Sequence, residues 1–345
     1  MAIDPILLER LVCPRHGFRL SEIRSALRCS AGHEYAVIED VPILLDQGAQ
    51  TLAVADASLR RATDGESSTT DPFYVETLGI SESERLLVKE RLRDGDSAFD
   101  PVVSFLVGAT NGNAYRHLIG KLRDYPIPDL RLPRSNGEFL LDVGCNWGRW
   151  SLAAAKLGYI PIGIDPSLGA ILAAKRAAAR LGLNAKFVVG DARFLPFETG
   201  SFNVVFSYSV LQHFNRGDAA IAIKSIGRVL QVNGKSFIQM PTNLGVRCLY
   251  HQSRRRFRAA RGFEVRYWSI PALRQLFTNY VGRTTFSVDC FFGIGLQATD
   301  QHLMPSGLAA IIRTSEFLRK ASRLCSWMYY VADSVYVEST KVHAA

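Results

Sequence analysis

The chain has 345 residues, of which 48% are hydrophobic and 21% charged, and a formal net charge of +9. That is room for one sizeable catalytic core and one or two small additions, with the composition of an ordinary soluble globular protein. No run of about 18 uninterrupted apolar residues is present, so no membrane span is expected. Residues 1–10 lack the basic stretch and long apolar core of a secretory signal. Six cysteines are present; Cys145, Cys248, Cys290 and Cys325 are scattered and make no disulfide framework. Unpaired thiols in a large chain suit a reducing compartment, and a cytoplasmic location is expected. The positive balance permits an anionic partner such as RNA, a phosphorylated substrate or a lipid headgroup surface, without choosing among them.

Residues 1–48 read as a small first domain. Cys13-Pro14-Arg15-His16 and Cys29-Ser30-Ala31-Gly32-His33 are separated by an expected hairpin, and each puts two metal-capable side chains on a tight turn. Four N and S ligands, Cys13, His16, Cys29 and His33, suit a closed tetrahedral structural zinc site with no open position for catalysis. A segment with few large core residues gains from such a staple. Residues 49–100 read as a linker and helical segment, with a loop-like stretch at 62–71 and a charged helical run at 81–93.

From 101 to 340 the pattern becomes that of an alternating α/β domain. Residues 111–122 read as a helix ahead of the first strand. Five strands are expected at 139–143, 160–164, 186–189, 202–207 and 235–240. Helices at 149–157, 168–181 and 218–230 alternate with them. A further helix at 270–280 leads to two late strands at 283–289 and 333–338. Between those strands lies an insertion, about 290–332, with a helix at 308–323. Strands alternating with helices of this length make an α/β fold, a Rossmann-like doubly wound sheet covered on both faces, here of seven strands.

The central run is Leu141-Asp142-Val143-Gly144-Cys145-Asn146-Trp147-Gly148-Arg149-Trp150. A strand enters a glycine-containing turn that opens a helix, where free N–H groups and a close backbone approach receive a ligand. A dinucleotide fold shares such a turn, but three features differ. Asp142 ends the strand, and Asn146, a residue tolerant of left-handed geometry, replaces the middle glycine. Asp165 ends the second strand, where a carboxylate can accept both hydroxyls of a ribose. Asp191-Ala192 follows the third strand, where an acceptor can meet an adenine amine. The sugar and the base of an adenosine are thus addressed, with no site for a pyrophosphate.

The pieces LLDVGCNWGRW, PIGIDPS, VVGDARFLPFETGSFNVVFSYSVLQHF and IGRVLQVNGKSFIQMP, in order over 139–241, resemble class I methyltransferases of the type-11 group. The resemblance implies S-adenosylmethionine as cofactor. It implies that Asp142, Gly144 and Gly148 surround the methionine part, that Asp165 binds the ribose, and that Asp191 and Ala192 meet the adenine. Cys145 and Asn146 in the turn and Ser207 at the end of the fourth strand complete the candidate cofactor set. The run LLERLVCPRHGFRLSEIRSALRCSAGHEYAVIEDVPILL resembles the small zinc-ribbon family that activates several translation-related methyltransferases. Relatives commonly have Cys where His16 stands.

Methyl transfer is an in-line displacement in which the protein chiefly positions the partners, and a base is needed only where the acceptor must lose a proton. After the fourth strand, His213 is the candidate base, and Tyr208 is a candidate for lining the acceptor pocket or for catalysis. Tyr115 and Arg116 are candidates for a lid over the cofactor. The arginine-rich stretch from Arg247 through Tyr250 to Arg266 suits an anionic acceptor, with Arg247 and Tyr250 as contacts. No Asn/Asp-Pro-Pro-aromatic motif or Pro-Cys pair follows the fourth strand, which argues against adenine-amine and cytosine-C5 chemistry. The leading expectation is O-methylation of a small-molecule or glycan-type acceptor. Two alternatives remain open: an RNA methyltransferase, since a ribbon before such a core also resembles ribosomal-RNA guanine methyltransferases, and a non-catalytic cofactor-binding partner that docks a protein through the ribbon.

Overall fold

The computed structural model describes residues 3–24, 26–46, 53–63, 71, 73–93, 99–109, 114–293 and 295–342. A short helix α1 (Pro5–Leu8) precedes an antiparallel meander, β1 (Leu20–Ile23), β2 (Ala26–Cys29), β3 (Glu34–Ile38) and β4 (Val41–Leu44). Helices α2 (Ala53–Thr63), α3 (Glu82–Arg93) and α4 (Pro101–Ala109) follow. The alternating domain runs β5 (Phe139–Val143), α5 (Arg149–Lys156), β6 (Ile160–Asp165), α6 (Leu168–Arg180), β7 (Lys186–Gly190), β8 (Phe202–Ser207), α7 (Arg216–Val229) and β9 (Leu230–Pro241). It ends with α8 (Val246–Arg254), α9 (Ile270–Tyr280), β10 (Gly282–Cys290), α10 (Ser306–Ala321) and β11 (Ser334–Lys341).

The helices start where side chains satisfy free N–H groups. Ser167 accepts from the Ala170 N–H ahead of α6, Asn215 from Asp218 ahead of α7, and Ser269 from Ala272 ahead of α9. Strand β5 is buried on both faces beyond its first residue, as a central parallel strand must be.

Among the described residues the sheet has eleven strands in the order β1-β2-β3-β4-β7-β6-β5-β8-β9-β11-β10, not the seven expected. The seven run from β7 to β10, with β11 antiparallel to both neighbours. The other four are the N-terminal meander. Its last strand pairs parallel with β7, Ile43 opposite Val189 and Leu44 opposite Gly190. The physical reason is that Val41–Leu44 is apolar on both faces and buried throughout, so it needs a place inside a covered sheet. The join continues through Val12 N–H donating to the Pro196 carbonyl at 2.9 Å, and Leu11 and Tyr35 share one apolar cluster with Val188, Phe197 and Phe202.

Within 49–100, described residues pack on the alternating domain. Ser58 Oγ donates to the Pro166 carbonyl at 2.8 Å and accepts from Leu168 N–H, and Ser167 Oγ donates to the Thr77 carbonyl at 2.8 Å. Thr77 Oγ1 accepts from Gly169 N–H at 2.6 Å, so α2 and the turn at Val75–Leu78 cover the start of α6. Of the helix expected over 111–122, the described residues 114–122 form none. Residues 111–113 lie outside the described residues, and the rest holds only a 3-10 turn at Arg116–Leu118.

Candidate active site

The turn after β5 is built from backbone. Gly144 and Cys145 N–H both donate to the Ile164 carbonyl, at 2.8 and 3.1 Å, and Gly148 N–H donates to the Cys145 carbonyl. Asn146 adopts φ 50°, the left-handed geometry expected of it, and its side chain accepts from Trp147 N–H at 2.9 Å. Gly144 has φ +75°, and a Cβ there would lie 2.2 Å from Val210 Cγ2, so only glycine fits. Asp165 links the first two strand ends: one carboxylate oxygen accepts from Asn146 N–H at 3.0 Å and the other from Ser167 N–H at 2.9 Å.

At the carboxyl ends of β5, β6, β7 and β8, Gly144, Asn146, Asp165, Asp191, Ser209 and Val210 are partly exposed, whereas the strand residues leading to them are buried. This is the crevice where an open α/β sheet takes its ligand. The remaining candidates stand behind it. Asp142 is buried and accepts from Ser151 Oγ at 2.7 Å; Ser207 is buried and donates to the Val143 carbonyl at 2.8 Å. Cys145, Gly148 and Ala192 are buried too. Asp191 is held by Arg193, whose Nη2 lies 2.6 Å from Oδ2, and Arg193 also reaches Asp218 at 3.4 Å. This ion pair fixes the Asp191 carboxylate at the mouth of the crevice.

Burial raises both strand-end carboxyls. Asp165 rises to about 6 through loss of solvent, against the pull of the Ser167 and Asn146 N–H groups. Asp142 rises to about 7 through burial, against the Ser151 bonds, with the charge of Asp165 adding to the rise. Burial likewise pushes the Cys145 thiol well above its ordinary range, so it is no nucleophile.

His213 sits in a 3-10 turn after β8, stacked on Phe263 with ring centroids 3.9 Å apart. Its Nδ1 lies 2.7 Å from the Phe263 carbonyl, which fixes the Nδ1–H tautomer, and its Nε2 lies 3.3 Å from the Gln212 side-chain amide. Burial, aided by the charge of Arg266, lowers its pKa, so the ring is neutral at pH 7 with its lone pair on Nε2.

Tyr208 is not poised for catalysis. It is buried against Trp150 and Tyr336 and donates to Asp289 at 3.0 Å, and burial holds its hydroxyl well above the ordinary range. Asp289 also receives Ser334 and Arg131, and Arg131 reaches Glu316 of the insertion at 2.7 Å, so Tyr208 is part of a wall tied to the insertion. Tyr115 and Arg116 part company. Tyr115 is fully buried, donating to Asp300 and accepting from Arg149 Nη2 at 3.1 Å, whereas Arg116 faces outward, 3.8 Å from Glu84. Arg149 Nη2 lies 2.9 Å from Asp300 Oδ1, and its Nε donates to the Pro126 carbonyl. Arg247 N–H donates to Asp333, its Nε lies 3.3 Å from His251, and Tyr250 is exposed.

Sequence reasoning missed Ser209 and Gln239. Ser209 holds φ 60° at the crevice with its N–H given to Gln239 Oε1 at 3.0 Å. A buried glutamine near the end of a central strand was the available signal.

The four metal-capable side chains do meet. One ligand atom from each of Cys13, His16, Cys29 and His33 lies within 4.8 Å of all the others. Cys13 Sγ is 3.9 Å from His16 Nδ1 and Cys29 Sγ 3.8 Å from His33 Nδ1, while Cys13 Sγ also meets the Tyr35 hydroxyl at 3.1 Å. Burial pushes the Cys29 thiol up, but the N–H groups of His33 and Ala31 and the contact with Cys13 bring it down overall.

Comparison with known proteins agrees with this geometry. Residues 140–234 match the methyltransferase domain family. Over 101 residues the chain is 33% identical to the ubiquinone biosynthesis O-methyltransferase of Coxiella burnetii, spanning 29% of this chain and 42% of that protein. Over 98 residues it is 30% identical to the protein of the same name from Azorhizobium caulinodans, spanning 28% of this chain and 38% of that one. The chain thus spans less than half the length of these relatives. A solved structure of Haemonchus contortus phosphoethanolamine N-methyltransferase 2 aligns with 18% identity and a TM-score of 0.46, covering 68% of this chain and 59% of that one. The fold and the turn define an α/β domain with its ligand crevice at the strand ends. Within it, residues 140–234 are similar to methyltransferase domains.

Proposed function

We propose that the protein is an S-adenosylmethionine-dependent methyltransferase acting on a small-molecule or glycan-type acceptor, most simply at oxygen. The observation that carries this is the partly open Asp165 carboxylate beside the Gly144–Asn146 turn. Its two oxygens each accept one backbone N–H and keep further lone pairs for a ribose diol. Asp191, held by Arg193, would accept from an adenine amine. Gly144 and Asn146 border the methionine part. When bound, the cofactor supplies an electrophilic methyl on a sulfonium, and the protein's task is to orient the acceptor and exclude water. The similarity to O-methyltransferases supports oxygen as the methylated atom.

His213 is the proposed base. Neutral at pH 7, with Nδ1–H given to Phe263, it can take a proton on Nε2 from an acceptor hydroxyl that displaces the Gln212 amide, 3.3 Å away. The test is transfer of radiolabelled methyl from S-adenosylmethionine into fractionated cell extract, with Asp165→Ala as control. Label in small-molecule or glycan fractions is expected, and His213→Gln should lower its rate about 100-fold with cofactor affinity unchanged. Label confined to an RNase-sensitive precipitate would refute the acceptor class, and an unchanged rate in H213Q would remove the base.

Cys13, His16, Cys29 and His33 are proposed as a structural zinc site. Two thiols and two imidazoles within this radius match the donor set and the tetrahedral reach of zinc. One zinc per chain should appear in the purified protein by elemental analysis. Cys29→Ser should lose it and lower the melting temperature by roughly 5–10 °C. A metal-free protein whose melting is unaffected by the substitution would refute the site.

A further inference from the structure

An outward apolar feature lies on α8 and the neighbouring turn. Helix α8 turns Cys248 inward and presents Val246, Leu249 and Tyr250 to solvent at helical spacing, with Phe257 continuing the stripe beyond its end. Val246 is 66% and Phe257 68% exposed. The turn Ser326–Tyr330 stands beside the start of this helix. Asp333 accepts from the N–H groups of Arg247 and Cys248, at 2.7 and 3.0 Å, and Thr242 Oγ1 donates to the Ala332 carbonyl. That turn adds Trp327, 63% exposed, with Leu324, Tyr330 and Val331 also outward.

The stripe is flanked by charge of one sign. Residues 246–266 hold seven arginines and a single acid, Glu264. Glu264 is taken by Arg258 at 2.6 Å and approached by Arg255 at 3.9 Å. Arg254 lies over the Tyr250 ring, 5.9 Å from its centroid. Aromatic faces and arginines suit either a nucleic acid or a lipid surface, but the aliphatic side chains decide between them. Val246, Leu249, Leu324 and Val331 have nothing to stack on or hydrogen-bond to in a polynucleotide, whereas each gains free energy on entering the acyl boundary of a bilayer. Basic residues beside them meet anionic headgroups, and Trp and Tyr favour the interface between the two.

The geometry points to a lipid-docking face: α8 and the turn at 326–331 seat the protein on an anionic bilayer, with Trp327, Val246 and Phe257 entering the interface. The surface gives the protein a peripheral attachment, independent of which acceptor is methylated.

The full chain is mixed with vesicles of phosphatidylcholine alone or with phosphatidylglycerol, and sedimented. Vesicles with brominated acyl chains report entry of tryptophan through fluorescence quenching. Trp147, Trp150 and Trp268 are buried, so the signal belongs to Trp327. About ten-fold more protein is expected on the anionic vesicles, with quenching that disappears in Trp327→Phe. Val246→Asp with Phe257→Asp, and separately Arg254, Arg256 and Arg261 each replaced by Gln, should both cut partitioning about ten-fold while melting like the parent. Absence of partitioning, partitioning without quenching, or either variant partitioning like the parent would overturn the proposal. So would a dimer in solution that buries Trp327, or binding to a polynucleotide in place of vesicles.

Discussion

Replacing Asp165 with Asn should weaken S-adenosylmethionine binding about 100-fold, measured by calorimetry, with a modest fall in melting temperature. A ribose bound through two hydroxyls to a carboxylate has two charge-assisted hydrogen bonds, each contributing about 1.5–3 kcal/mol. The Asn side chain keeps one acceptor oxygen and sets an N–H₂ against Asn146 N–H or Ser167 N–H, each of which now donates to Asp165. Loss of about 3 kcal/mol is roughly a hundred-fold in Kd. The same carboxyl sets a pH dependence. Its pKa in the free protein is raised to about 6, and a diol that donates to it favours the ionised form. Affinity should therefore climb as pH rises through about 6 and level off above 7, with proton release on binding below that range. Stability runs the other way. Asp165 and Asp142 hold their protons to higher pH folded than the 3.8 of the free side chain, so their contribution declines as pH rises from about 4 towards 7. Affinity in D165N equal to that of the parent, or indifferent to pH in the parent, would refute the ribose assignment.

The second large effect is expected at Asp300. Arg149, Asp300 and Tyr115 form a buried set in which one charge pair and one phenol satisfy one another. Deleting one partner of a buried ion pair leaves the other charged and unpaired, which costs about 3–5 kcal/mol. Asp300→Ala should lower the melting temperature by roughly 6–15 °C. Tyr115→Phe should cost much less, since Arg149 keeps both Asp300 and the Pro126 carbonyl. The double replacement Arg149→Met with Asp300→Leu should recover most of the loss, because removing both charges removes the uncompensated one. Since Arg149 opens α5 directly after the Gly148 turn, D300A should also loosen cofactor binding. A variant that melts like the parent would show that the insertion is not held by this pair.

Much of the core was legible from residue order. The buried strand 139–143, the glycine turn with Asn146 in left-handed geometry, the carboxylate at Asp165 and the alternation of strand and helix each follow from short-range chemistry. Period, turn preference and helix caps act over a few residues, and a sequence displays them directly. The Cys/His pairs were visible for the same reason, since two ligands on one tight turn are a local pattern.

What the chain packs against what is a long-range matter, and there the sequence was silent. Nothing in the order of residues 1–48 showed that Val41–Leu44 would form a strand beside β7 and continue the sheet. Ser58 and Thr77 gave no sign that they would hold the start of α6, more than ninety residues away. Tyr115 and Tyr208 carried chemistry that suits a site, and tertiary structure assigned both to buried hydrogen bonds with Asp300 and Asp289. The sequence by itself determined the elements and the cofactor-type turn, because those rest on neighbouring residues. Only the tertiary structure decided which polar side chains face the crevice and which are used up holding the insertion in place, because a buried donor must find its acceptor wherever the fold brings one.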